Sequence, residues 1–157
     1  MEPHKKKVLI IAYAFPPHSV VGSMRPLRMA KYLKDVSGWN PVILTVDRVF
    51  ARNDDSLIEE VPHGVPIYRV GSFEPAFWFE RMRHAIEVTS SDASKTGLRV
   101  VRKVFDRAFS VLSEASSIPD PQVFWNVPVV QKGMSIIRSE GIDAVLVTSP
   151  PWSLQMA

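Results

Sequence analysis

The chain has 157 residues, 46 % hydrophobic and 22 % charged, enough for one α/β domain with a sizeable core and incompatible with global disorder. It contains no cysteine, which excludes disulfides and thiolate chemistry and suits a reducing cytoplasm. A net charge of +3 and a pI near 9.3, with no recognisable reading element, point away from nucleic acid and leave at most a weak attraction to phosphorylated ligands or anionic lipid.

Lys7 to Tyr13 is a continuous apolar run, partly β-branched, and reads as a buried parallel strand. Pro16-Pro17 follows it with no small-residue cleavage site, so the basic start and apolar run do not make a signal peptide. No stretch reaches the roughly 18–20 apolar residues that span a bilayer. Ser23 is expected to cap a helix, with Pro26 in the first turn. Leu27, Ala30 and Leu33 recur at helical spacing, and Gly38 stands where a helix ends. Pro41 to Val46 is a second buried strand, which completes a right-handed βαβ unit.

Residues 53–55 and 62–66 read as loop, and Ile67 to Val70 as a short third strand. Helical patterns cover about 75–88 and 95–115. The run 73–83 mixes four aromatics with two arginines, which suits either a membrane surface and a lipid-linked acceptor or packing against another domain. A helix is expected from about Val123 to Ser139, stopping at Gly141, with Pro128 near its first turn. Ala144 to Thr148 is a further parallel strand, and Ser153 is expected to start a short helix. Because a domain seldom stops in the first turn of a helix, a longer parent chain is the expectation.

Ligands of open parallel sheets bind at the loops that follow the strands. Two such loops, residues 15–23 and 149–153, contain paired prolines. Gly22 permits close backbone approach. The helix start offers N–H groups to an anion, and Arg25 adds a guanidinium; the plain alternative is a tight strand-to-helix connection. Neither a GxGxxG run nor a P-loop is present. His18 is either a general base or hydrogen-bond donor of this loop, or an ordinary exposed histidine. Trp125 either walls a sugar site or packs a helix on the sheet. The other histidines and the acidic pairs 54–55 and 59–60 lack metal-ligand spacing.

Two blocks resemble a known family. Tyr13-Ala14-Phe15-Pro16-Pro17, Gly22, Arg25, Tyr32-Leu33 and the stretch from Gly38 to Thr45 are similar to the opening of family-4-type glycosyltransferases of the GT-B fold. IPDPQVFW and IDAVLVTSPPWS resemble that family's later segments, in the right order. The resemblance implies two Rossmann-like domains facing a cleft, this chain being the amino-terminal, acceptor-side one, inactive alone. The donor-holding domain would be the missing carboxyl-terminal half. The resemblance further implies a nucleotide-diphosphate sugar as donor, a carbohydrate, lipid-linked or small-molecule acceptor, no metal and no other cofactor. The setting would be cytoplasmic, at the inner face of a membrane for a lipid-linked acceptor. Substrate-binding residues are expected at Pro17, His18, Gly22, Ser23, Arg25, Ser149, Pro150 and Pro151; no catalytic residue is assigned. Many relatives carry two adjacent glycines where this chain has Val21-Gly22-Ser23. The alternatives are a non-catalytic Rossmann-like binding module and a sugar-nucleotide epimerase of the same two-domain shape.

Overall fold

The computed structural model describes residues 5–48, 53–72, 107, 120 and 122–156. The expected helices at 75–88 and 95–115 and the aromatic run at 73–83 lie outside the described residues, apart from Arg107. Four parallel strands form one sheet: β1 (Lys7–Ile11), β2 (Asn40–Val46), β3 (Ile67–Val70) and β4 (Ala144–Val147), in the order β3-β2-β1-β4. Lys7 pairs with Asn40, Val8 with Ala144 and Ile43 with Ile67. The ladder runs one residue past two of these strands, since Ala12 N–H donates to Leu44 O at 3.0 Å and Thr148 N–H to Ile11 O at 2.9 Å.

Side chains alternate across a strand, and here both faces of β1 and β2 are covered. Leu9, Val42, Leu44 and Val46 pack on one face with Trp125, Val129, Ile136 and Leu154. Ile10 and Ile43 pack on the other with Phe15, Leu27 and Ala30. That is why β1 and β2 read as nearly continuous apolar runs. The first face is covered by a 3₁₀ turn (Val123–Trp125), the helix that continues it, and a second 3₁₀ turn (Trp152–Met156); the opposite face is covered by helix α1 (Val21–Asp35). The result is a Rossmann-like α/β sheet flanked by helices.

Helix α1 starts two residues before the expected cap. Val20 is the N-cap, in an extended conformation (φ −122°, ψ 154°) and with no side-chain hydrogen bond. Ser23 lies inside the helix, fully buried, and its hydroxyl donates to Val20 O at 2.7 Å. Pro26 therefore sits in the second turn rather than the first, and removes the N–H that would have bonded Gly22 O.

A short helix α2 (Ser56–Glu59) begins where Asp54 Oδ1 accepts from the N–H and hydroxyl of Ser56. Helix α3 (Asn126–Glu140) follows the first 3₁₀ turn and stops at Gly141, whose φ of 63° is left-handed, as a C-terminal glycine allows. Pro128 falls in its first turn, where no N–H is missed. Ser153 belongs to the second 3₁₀ turn rather than to the start of an α-helix. Among the described residues no helix is long and apolar enough to cross a membrane.

Candidate functional site

The strand order places a topological switch between β1 and β4: the chain winds outward through β2 and β3, then returns to the far side of β1. A crevice opens at the carboxyl ends of the strands at such a point. Here it is a cleft of about 370 Å³ lined by Tyr13, Ala14, Val20, Val21, Gly22, Arg25, Gln122, Thr148, Ser149, Pro150 and Pro151. One wall is the loop after β1 and the first turn of α1; the other is the loop after β4. Each loop carries cis X-Pro bonds, at Pro16-Pro17 and at Ser149-Pro150-Pro151.

The start of α1 supplies the polar character of the first wall. Val20 has no side-chain oxygen, so the N–H groups of Val21 and Gly22 have no intrahelical acceptor and carry the positive end of the helix dipole. Ser23 N–H is taken by Val20 O at 2.9 Å. Gly22 leaves the approach open, because no atom of the described residues lies within 4 Å of where a β-carbon would stand. Arg25, one turn on, extends across the cleft and donates from Nη1 to Ser149 O at 3.3 Å. Its exposed guanidinium retains donors for a carboxylate or phosphate.

Behind the cleft, Asp120 joins two segments. Its carboxylate accepts from Ser153 N–H at 2.7 Å, from the Ser153 hydroxyl at 2.7 Å and from Gln122 N–H at 3.1 Å. Asn126 Nδ2 donates to Ser153 O at 2.7 Å. Together these hold Gln122 and the residues after Pro151 in place. Trp125 is fully buried: it meets Tyr13 edge-on at 5.2 Å and donates from Nε1 to Val70 O at 3.3 Å. It packs the helix on the sheet and is not available to stack on a sugar.

Of the residues expected to bind substrate, Gly22, Arg25, Ser149, Pro150 and Pro151 are brought together around the cleft. Pro17, His18 and Ser23 are not among its lining. Pro17 faces the segment after β2, where its carbonyl accepts from Asp54 N–H at 2.7 Å. His18 is buried, and its Nδ1 lies 3.1 Å from Asn53 Oδ1, so it is neither exposed nor turned to the cleft. Its Nε2 has no hydrogen-bond partner among the described residues. Ser23 spends its hydroxyl on Val20 O within the core.

Arg69 braces the same loop from behind, donating from Nη2 to Pro16 O at 2.5 Å. Burial pushes its pKa below the ordinary arginine value, against the opposing pull of Asp47. The guanidinium stays charged in the physiological range. Tyr13, Ala14 and Thr148, which were not among the expected site residues, stand just past the ends of β1 and β4, where the strand-end rule would have found them. Gln122 is distant in sequence from both loops and carries no such signal.

Among the described residues no group of three His, Cys, Asp or Glu side chains is placed to hold a metal ion. Comparison with protein-family models, with curated proteins and with solved structures gave no match to this chain.

Proposed function

We propose that this chain is the acceptor-side domain of a GT-B-type glycosyltransferase, which moves a sugar from a nucleotide-diphosphate donor to an acceptor hydroxyl or phosphate. The observation that carries the reading is the meeting of its two motif loops. Residues of both loops, Tyr13, Ala14, Gly22 and Arg25 from the first and Thr148–Pro151 from the second, line one cleft, and Arg25 bonds Ser149 across 124 residues of sequence. Those are the two blocks on which the resemblance to family-4-type glycosyltransferases rests.

The chemistry of the walls fits such a ligand. A sugar nucleotide and its acceptor present hydroxyls and anionic oxygens. The N–H groups of Val21 and Gly22, which have no acceptor among the described residues, and the Arg25 guanidinium are donors with a positive field. In the transfer, the bond from the anomeric carbon to the terminal phosphate oxygen breaks and a bond to the acceptor oxygen forms. The nucleoside diphosphate leaves with the bonding electron pair and, with water, takes up the proton of a hydroxyl acceptor; an ionised phosphate acceptor has none to lose. This domain's share is to hold and orient the acceptor and to place positive charge near the departing diphosphate.

The test is product analysis with labelled uridine, guanosine and thymidine diphosphate sugars, using the full gene product and a panel of glycan, lipid-phosphate and small-molecule acceptors. Transfer of the label to an acceptor is the expected result. Conversion of the donor to its epimer without transfer identifies the epimerase alternative. No turnover and no nucleotide-sugar binding leave a non-catalytic module and overturn the proposal.

A further inference from the structure

The outward side of α1 carries a groove of about 580 Å³ lined by Val21, Met24, Arg25, Arg28, Met29 and Tyr32. These positions recur at helical spacing and so share one side of the helix. Val21 is 95 % and Tyr32 70 % exposed. Met24 and Met29 pack partly on the core beneath, and unbranched thioethers suit an irregular, adaptable apolar floor. No acidic residue occurs in α1 before Asp35, so among the described residues the charges along the groove belong to Arg25 and Arg28. The groove and the cleft share Val21 and Arg25 and therefore meet at the start of α1.

An apolar floor flanked by two guanidinium groups, running on from a cleft rich in donors, complements a molecule with an anionic head and a hydrocarbon chain. A soluble glycan would leave Val21 and Tyr32 in water and Arg28 without a counter-charge. We infer that the acceptor is a phosphate-bearing lipid, its phosphate beside Arg25 and its chain laid along α1 past Arg28 to Tyr32. The acceptor role rests on the glycosyltransferase reading above; the binding does not. From Arg25 to Tyr32 the helix offers about 10 Å at 1.5 Å per residue, enough for most of a ten-carbon chain.

The test is calorimetric titration of the protein with inorganic phosphate, hexyl phosphate, decyl phosphate below its micellar concentration, and 1-decanol. A fully buried methylene improves affinity about fourfold, so a half-open groove predicts about twofold per methylene from phosphate to decyl phosphate. Decanol should bind far more weakly than decyl phosphate. Tyr32→Asp, at an exposed position outside the cleft, should remove most of the dependence on chain length and leave inorganic phosphate binding as in the wild type, whereas Arg28→Glu should weaken both.

The inference is overturned if chain length has no effect, if decanol equals decyl phosphate, or if the gain survives both substitutions. Binding only to phosphatidylglycerol vesicles, and not to the monomeric amphiphile, also overturns it and makes the face a membrane-docking surface. Transfer to a soluble sugar with no preference for a lipid phosphate sinks the acceptor assignment and spares the glycosyltransferase reading. An intact chain-length dependence without transfer to any acceptor supports the groove's ligand and sinks the reaction instead.

Discussion

Gly22 and Arg25 differ in what they do for the fold and for a ligand. The space beside Gly22 is open, so Gly22→Val keeps the domain folded while placing two methyl groups where an anion would approach the helix N–H groups. Arg25 is exposed, and its one hydrogen bond among the described residues is long, so Arg25→Ala costs the fold little. In titrations with pyrophosphate, Gly22→Val should abolish binding. Arg25→Ala should weaken it by about 1.5–3 kcal/mol, the range of a hydrogen bond to a charged group. Circular dichroism should show both variants folded as wild type; wild-type pyrophosphate affinity in both would make the loop a mere connection. Asp120 is the opposite case, a buried carboxylate serving three protein donors. Asp120→Ala strands the Ser153 N–H, the Ser153 hydroxyl and the Gln122 N–H, and should cost roughly 3 kcal/mol in urea unfolding. Asp120→Asn keeps one acceptor oxygen and should cost less.

Among the elements, α3 contains the clearest slack. Gly133 lies in its interior, buried, with Leu44 Cδ2 3.6 Å from where its β-carbon would stand, an ordinary contact distance. Gly133→Ala should therefore raise stability by about 0.5–1 kcal/mol through helix propensity, measurable as a higher urea midpoint. Gly133→Leu should overpack the face against Leu44 and lower it. The same elements show what could be read in advance. The strands were legible because β1 and β2 are buried on both faces and are apolar apart from their first residues and Thr45, and Gly141 marked the end of α3 by its left-handed backbone. The start of α1 was misplaced because a capping rule looks for a side-chain oxygen. Ser23 has one, but Val20 makes the turn by backbone conformation alone, and Ser23 bonds backward to it. In the cleft, the loops after β1 and β4 were legible from strand ends and prolines. Gln122 was not, since only the tertiary clamp of Asp120 on Ser153 fixes the segment that carries it.

At the scale of the molecule, Glu140 ties the end of α3 to two strands. Its Oε1 accepts from the Tyr68 hydroxyl at 2.7 Å and its Oε2 from Lys7 Nζ at 3.0 Å. The Tyr68 bond first, then Lys7, holds the Glu140 carboxyl below the usual range, and the same contact pushes the Tyr68 phenol up. A carboxyl depressed in the folded state contributes stability in full above its unfolded value of about 4.3 and loses it as pH falls through the folded value. Tyr68, raised in the folded state, contributes below about pH 10 and loses its part as pH climbs through the higher folded value. Urea midpoints measured from pH 7 to pH 3 should thus fall less steeply for Glu140→Gln than for the wild type, from a lower start. An unchanged acid slope would show that this contact does not contribute to the linkage.

The strand order has a consequence in time. The partners in the β1–β4 ladder are about four times further apart along the chain than those in β1–β2, which adds about 1.2 kcal/mol of loop-closure entropy at 0.6 kcal/mol per doubling. Such distant pairing is slow. On a ribosome, β1, α1, β2 and β3 can assemble while β4 is still inside the exit tunnel. One wall of the cleft therefore stands alone, with its helix start bare, until residues 144–151 emerge. The donors of Val21, Gly22 and Arg25 precede the last strand and the wall that faces them arrives with it, so a stalled nascent chain would hold most of the sheet and only half of the grip.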